Sequence, residues 1–486
     1  MITVTRPVKS PQHDGTSAAT SPEYGHDMSS TGPTPPHVVV VGAGMVAHRF
    51  VESLLSRTDD AWRVTVIGEE PRHPYDRVGL TSFFAGASAE DLELDASPLA
   101  DERVRFVRGA KVTRIDRDVA EVVTDRGERI GYDRLVLATG SYAARLAVDG
   151  YDHDGCFVYR TLDDVEALER FVERRSAELG RRLTGTVIGG GLLGLEAAGA
   201  LQGLDVDCTV IQSSDRLMSA QLDLPAGDAL RRLIEQRGIG VQTSALTTRL
   251  DADRSGRVIG LEFRDGSWER TDVVVFTVGV RPRDELARAA GLTVDARGGV
   301  AIDAGCDTSD PRILAIGEVA SFGGQCVGLV APGYAMAEVA AARLLGLEAS
   351  FAGFDVSTKL KLSGVDVASF GDAFAETPGA LDVVYADPVA GVYKKLVLSD
   401  DAKTLLGGIL VGDASAYGSL RPLVGGALGG DPVAYLMPRE GVAAPTGELP
   451  DEALVCSCNS VTAGGIRSAV HDEGCTDVKG IKACTK

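Results

Sequence analysis

His37-Val38-Val39-Val40-Val41-Gly42-Ala43-Gly44-Met45-Val46-Ala47 decides how the chain is read. Four consecutive valines form a β-branched run of the kind that fills a strand buried on both faces, and it stops at a glycine with helix-compatible residues behind it. The pattern is strand, turn, helix. Within it lies G-x-G-x-x-G/A, where each small residue has a physical task. Gly42 permits the tight turn, Gly44 lets backbone approach a pyrophosphate, and Ala47 lets helix and strand pack closely. The helix start supplies free N–H groups and a positive dipole end. Glu69 and Glu70 close the next strand expectation, Val64 to Ile67, and one of them is placed to hold a ribose hydroxyl. His48, beside the turn, reads as packing or surface rather than as a catalytic group.

The pattern returns downstream. Thr186-Val187-Ile188 leads into Gly189-Gly190-Gly191-Leu192-Leu193-Gly194, a complete fingerprint that runs on as helix through Leu195-Glu196-Ala197-Ala198. The strand after it, Cys208 to Ile211, ends at Gln212. An acid there would favour NADH and a basic pair would favour the 2′-phosphate of NADPH, so Gln212 decides neither. Asp215 toward the ribose with Arg216 toward a phosphate, or both on a solvated turn, remain open readings. Two dinucleotide units in one chain suit a hydride that passes between two bound cofactors, because each ring needs its own site before the two can stack.

Three further segments carry a resemblance: Asp133-Arg134-Leu135-Val136-Leu137-Ala138-Thr139-Gly140, Thr277-Val278-Gly279-Val280-Arg281-Pro282 and Ile313-Leu314-Ala315-Ile316-Gly317-Glu318. Together they resemble the two-dinucleotide-binding-domain flavoproteins related to glutathione reductase. That resemblance implies FAD at the first fingerprint and NADH or NADPH at the second. It also implies Gly317 and Glu318 at the flavin's ribitol, and crossings between the two nucleotide domains at Thr139-Gly140 and at Gly279. The prolines usual after Ala-Thr-Gly are missing from Ser141-Tyr142-Ala143-Ala144-Arg145.

A closer likeness runs from residue 37 to the end, carried by Tyr75-Asp76-Arg77, Leu80-Thr81-Ser82, Gly328 to Tyr334 and Ser357 to Val367. These are similar to the N-terminal half of NAD(P)H-dependent assimilatory nitrite reductase large subunits. The similarity implies Arg77 and Thr81 near the flavin and Pro332 close to its ring. Thr358, Lys359 and Lys361 read instead as an exposed basic strand edge. Glu196 is the candidate polar contact near the nicotinamide, and no residue reads as a catalytic acid or base.

Residues 42 to 90 contain no cysteine, so no dithiol beside the first helix relays electrons, and the reduced flavin must serve another centre directly. Cys456-Ser457-Cys458 resembles the start of a bacterioferritin-associated-ferredoxin-like 2Fe-2S segment, which needs four thiolates. Cys475 and Cys484 do not match the spacing of the closing C-x-x-C pair. A 2Fe-2S cluster is therefore expected only if the C-terminus is extended, with Cys456 and Cys458 as a partial ligand set, and the chain reads as a fragment that lacks the siroheme half.

The fold expectation is α/β: two Rossmann-like dinucleotide-binding domains, a smaller α+β domain and a short Cys-containing C-terminal segment. The boundaries read as a disordered leader at 1–36, an FAD domain at 37–157 and 280–349, and an NAD(P)H domain at 158–279. An α+β interface domain follows at 350–440, then a linker at 441–451 and a partial 2Fe-2S-type segment at 452–486. With 44% hydrophobic and 24% charged residues the 486-residue chain is that of a folded multidomain protein. A net charge of -20 disfavours nucleic acid and anionic lipid, and no apolar run is long enough to span a bilayer, so a cytoplasmic protein is expected. The expected partners are NAD(P)H and a downstream acceptor, either a siroheme/iron–sulfur domain or a small electron-transfer protein. A homodimer through residues 350–440 is expected by analogy. The alternatives are a standalone reductase for nitrate reductase, rubredoxin or ferredoxin, and a flavin-dependent redox sensor without turnover.

Overall fold

The computed structural model describes residues 35–58, 62–360, 362, 364–428, 430–437, 449, 451, 453–456 and 461–485. The leader expected at 1–36 lies outside them except for its last two residues, as does most of the linker. The strand His37–Val41 occupies the centre of a five-stranded parallel sheet, between Arg63–Gly68 and Arg134–Leu137, with Val104–Arg108 and Ile313–Ala315 at the two edges. Val38, Val39 and Val40 are wholly buried, as expected of a parallel strand covered on both faces. One cover is the helix Met45–Ser56, which turns Ala47, Phe50, Val51 and Leu54 inward and packs along Val330–Leu344.

A second parallel sheet repeats the design. Leu183–Ile188 is central, flanked by Val206–Ile211 and Val273–Phe276, with Gly240–Gln242 and Cys156–Val158 outside. The helix Leu192–Gly203 follows its central strand, as Met45–Ser56 follows the first. The two crossings are antiparallel partners: Ser141–Ala143 pairs with Val280–Pro282. The segment without prolines is thus a strand, whose backbone groups are used in a ladder that proline would interrupt.

The third unit is a five-stranded antiparallel sheet in the order Thr358–Lys359, Val367–Gly371, Leu405–Val411, Val392–Leu398, Leu381–Asp387. Its basic edge differs from the sequence expectation. Thr358 is buried, while Lys359 is exposed and Lys361 lies outside the described residues. Alternation along a strand turns adjacent side chains to opposite faces, so one edge strand carries both environments. Lys394 and Lys395 are also buried, each beside a carboxylate. Lys394 meets Asp413 at 2.6 Å, and Lys395 reaches Asp223 of the second unit at 2.8 Å. One oxygen of Asp223 accepts from the Ala226 N–H and caps the helix Leu224–Gln236, while the other takes Lys395 and the Tyr393 hydroxyl.

Burial acts to raise the Asp413 carboxyl, but Lys394 and Ser415 outweigh it and hold it down to about 2. A depressed carboxylate stabilises the fold fully above its unfolded value of about 4, and that contribution is lost as pH falls through the folded value. Asp413→Asn, which leaves Lys394 buried without its counter-charge, is expected to cost about 1–3 kcal/mol, less than a fully buried pair because Asp413 is part exposed. Urea unfolding at pH 7 against pH 3 reads the effect, with the gap between variant and parent narrowing at the lower pH.

Candidate functional site

Both glycine turns are built against a backbone carbonyl. Gly42 has φ +114°, and a Cβ there would sit 2.2 Å from the Ala138 carbonyl oxygen; Gly189 has φ +112°, with the Thr277 carbonyl 2.5 Å from the same position. Only glycine fits either place. At Gly44 and Gly191 the situation reverses. A Cβ would meet nothing within 4 Å, and each residue directly precedes a helix whose first N–H groups have no side-chain cap. These are open cradles at helix N-termini, which fits a pyrophosphate at both turns.

A cleft of about 1150 Å³ opens from the first turn. Gly42, Gly44, Glu69, Arg77, Thr139, Gly140, Gly279, Gly317 and Glu318 line it, and so does Glu196 from the second nucleotide unit. Leu192 and Leu193 of that unit add an apolar wall. Gly189 and Gly191 line a second cavity of about 270 Å³ at the second turn, which shares Thr277 with the cleft. The remaining named residues stand off both walls. Ala47 is buried under the first strand, and a Cβ at Gly194 would strike the Gly189 carbonyl, so both serve close packing. Pro332 is buried within the helix Val330–Leu344, whose Val330 and Ala331 reach the cleft in its place. Thr81 touches the cleft through Glu196, to which its hydroxyl donates a long 3.5 Å bond while accepting from Tyr159 at 3.2 Å.

The two acids after the second strand are already engaged. Glu69 pairs with Arg283 and, at 3.3 Å, with Lys111; burial pushes its carboxyl up, but the two cations prevail and hold it below the usual carboxylate range. Glu70 pairs with Arg77 and accepts from the Tyr75 hydroxyl at 2.9 Å. Glu69 therefore stays ionised in the cleft, able to accept from a ribose hydroxyl. Glu318 is held by groups from two distant parts of the chain. Arg160 forms an ion pair with it, and the Ser141 hydroxyl donates to it at 2.7 Å while accepting from Arg160 at 2.9 Å.

Sequence reading missed Arg160, Ser141, Tyr159, Lys111 and Arg283, which no local motif marks and only the fold gathers. His48 packs as expected, its Nε2 2.7 Å from the Asp95 carbonyl. Asp215 and Arg216 pair with each other at 2.7 Å and line neither space. No cysteine lines the cleft among the described residues. Cys458 lies outside them, as does the side chain of Cys456, while the Cys475 and Cys484 sulfurs stand 2.6 Å apart.

Residues 36–343 match the pyridine nucleotide-disulphide oxidoreductase family, and residues 357–425 match the rubredoxin NAD+ reductase C-terminal domain. The chain is 44% identical to the nitrite reductase (NADH) large subunit of Escherichia coli K12, over 92% of this chain and 53% of that one. It is 34% identical to the assimilatory nitrate reductase electron transfer subunit of Bacillus subtilis 168, over 92% and 57%. It spans about half the length of these relatives. A ferredoxin reductase structure from Rhodopseudomonas palustris superposes with a TM-score of 0.69 at 26% identity, covering 78% of this chain and 92% of that one.

Gly191→Ala is expected to melt like the parent, since its φ of −82° and the open space tolerate a methyl, yet to bind nicotinamide nucleotide roughly tenfold or more weakly. Gly42→Ala is expected to lower the melting temperature, because both φ and the Ala138 contact forbid it. Calorimetric melts beside nucleotide titrations separate the two.

Proposed function

The chain belongs to the pyridine nucleotide-disulphide oxidoreductase family, and from that premise we propose that it is the electron-input part of an assimilatory NAD(P)H nitrite reductase. It is an FAD-dependent oxidoreductase drawing electrons from NAD(P)H. The observation that carries the reading is one continuous cleft running from the first glycine turn to Leu192, Leu193 and Glu196 on the helix of the second. When bound, FAD supplies a ring that takes a hydride from reduced nicotinamide and can release electrons singly.

The protein's own groups position and shield. The first turn and its helix N-terminus hold the pyrophosphate, Glu69 the adenosine ribose, and Gly317 with the Glu318–Arg160–Ser141 cluster the ribitol side. Leu192 and Leu193, which line the cleft, would exclude water from the bound flavin and nicotinamide. Glu196 orients the nicotinamide edge, its carboxylate fixed by Thr81 and, through it, by Tyr159. We divide the chain as 37–155 with 280–349 around FAD, 156–279 around NAD(P)H, and 350–440 as the third unit; the first junction lies just before the expected 157/158, because the strand Cys156–Val158 pairs within the second sheet.

No cysteine lines the cleft among the described residues, so electrons would pass without a dithiol to an iron–sulfur or siroheme acceptor. Val455, of the strand Leu454–Cys456, lines the cleft, which sets the cysteine-bearing segment against it. A second reading, a separate electron-transfer subunit, is favoured by the likeness of residues 357–425 to a rubredoxin reductase domain.

Purified protein is expected to be yellow, to bleach anaerobically with reduced nicotinamide nucleotide and to regain colour with ferricyanide. Glu196→Gln is expected to slow bleaching roughly 10- to 100-fold while leaving the bound flavin spectrum unchanged. A colourless protein that takes up no FAD ends this reading. Nitrite reduction by the full-length protein, against ferricyanide reduction alone, separates the two acceptors.

A further inference from the structure

Cys475 and Cys484 lie away from the cleft wall, and the local fold brings them together. The helix Ala463–His471 runs into a turn at Gly474, φ +70°, where the Cys475 N–H donates to the Ala469 carbonyl at 3.0 Å. Asp477 then caps the helix Val478–Cys484, its Oδ1 accepting from the Gly480 N–H at 2.6 Å. Gly480 and Cys484, four residues apart, share one face of that helix. This face turns toward Cys475. A Cβ at Gly480 would lie 3.6 Å from the Cys475 Cβ, and the Cys484 sulfur stands 2.6 Å from the Cys475 sulfur.

Both thiols are free, Cys484 exposed and Cys475 half-buried, unlike Cys156, Cys208 and Cys306 in the core. Glu473 brings a carboxylate within 4.8 Å of both sulfurs. Hydrogen bonding to Cys475 and to that carboxylate pushes the Cys484 thiol up to about 12, so Cys484 keeps its proton and presents an S–H to its neighbour. A shared metal ion suits this spacing poorly, because two thiolates on one tetrahedral zinc, each about 2.3 Å from it, stand roughly 3.8 Å apart. Two sulfurs already in contact are placed instead to bond to each other.

We propose that Cys475 and Cys484 are a redox-active thiol pair that exchanges with a small-molecule disulfide of the glutathione type and closes into a reversible intramolecular bond. The Cys475 thiolate attacks one sulfur of the small disulfide, whose S–S bond breaks and releases one small thiolate. Cys484 then gives up its proton, attacks the Cys475 sulfur of the mixed disulfide and expels the second small thiolate. Two protein thiols are oxidised, one small disulfide is reduced to two thiols, and the two protons leave with them. The new bond ties the helix Val478–Cys484 to the turn after Ala463–His471. That helix is capped in turn by Thr462 of the strand that pairs with Leu454–Cys456. The state of the pair therefore sets how firmly the segment bearing Cys456 is held, and it needs no flavin to do so.

The test incubates the protein with oxidised glutathione, traps the remaining thiols with N-ethylmaleimide and maps the peptides by mass spectrometry. In the parent, Cys475 and Cys484 are expected to be joined to each other, with glutathione retained on neither, and to be freed again by reduced glutathione. Cys484→Ser is expected to stop at a stable adduct of Cys475 with glutathione. Cys475→Ser is expected to gain its adduct on Cys484 about tenfold more slowly, since that sulfur holds its proton. Glu473→Gln, which removes the carboxylate beside Cys484, is expected to close the bond several-fold faster. Glutathione retained on the parent, thiols that stay unreacted, or a bond from either sulfur to Cys456 or Cys458 would each overturn the proposal. So would stoichiometric uptake of Zn2+ or of iron and sulfide that both serine variants lose, which makes the pair a metal site instead. Flavin content and bleaching by NADH, read on the same samples, test the oxidoreductase reading separately, and their failure leaves the thiol pair untouched.

Discussion

A glycine resting on a backbone carbonyl, repeated twice, sets the geometry on which everything else depends. Gly42 leans on Ala138 and Gly189 on Thr277, and each carbonyl belongs to a segment about to cross to the other nucleotide unit. The crossings then pair as Ser141–Ala143 with Val280–Pro282. Shaping a turn for a pyrophosphate and setting the two units face to face are therefore one act of packing. A shift in either crossing reaches the opposite turn within a few residues, which explains how a single cleft can draw Gly42 from one unit and Glu196 from the other.

That repeated contact is also why so much was legible in the sequence. Valine runs ending in glycine, with small residues at fixed offsets, leave few other places for the chain to go, and Val38 to Val41 and Thr186 to Ile188 took the strand positions expected of them. Groups brought together from far along the chain were not legible. Arg160, Ser141 and Glu318 share one cluster across more than a hundred residues, and nothing local to any of them signals the others. Thr81 shows the middle case. Its segment resembled a flavin-contacting stretch, yet its hydroxyl bonds Glu196 and Tyr159 and does not line the cleft. Thr358 shows the limit of composition, since a threonine beside a lysine on an edge strand faces inward when the strand's alternation says so.

The chemistry of the cleft is one of fixed charges rather than mobile protons. Glu69, Glu70 and Glu318 each carry a guanidinium partner, so both members of each pair are held in place as ligands arrive. No thiol joins them in the cleft wall among the described residues. Cys156, Cys208 and Cys306 are buried, and desolvation pushes all three thiols well above their ordinary range, Cys156 and Cys208 up to about 12. They are inert fillers, and the family's disulphide chemistry has no counterpart among these three.

Asp223 divides its loyalties atom by atom: one oxygen closes a helix of the second nucleotide unit, the other receives Tyr393 and Lys395 from the third sheet. Modularity stops at that carboxylate. A chimera that transplants residues 350–440 from a cousin would inherit an intact helix end but an orphaned oxygen, unless the donor brings its own cation to the seam. Interchangeability among such reductases is therefore written at position 223, far from any coenzyme.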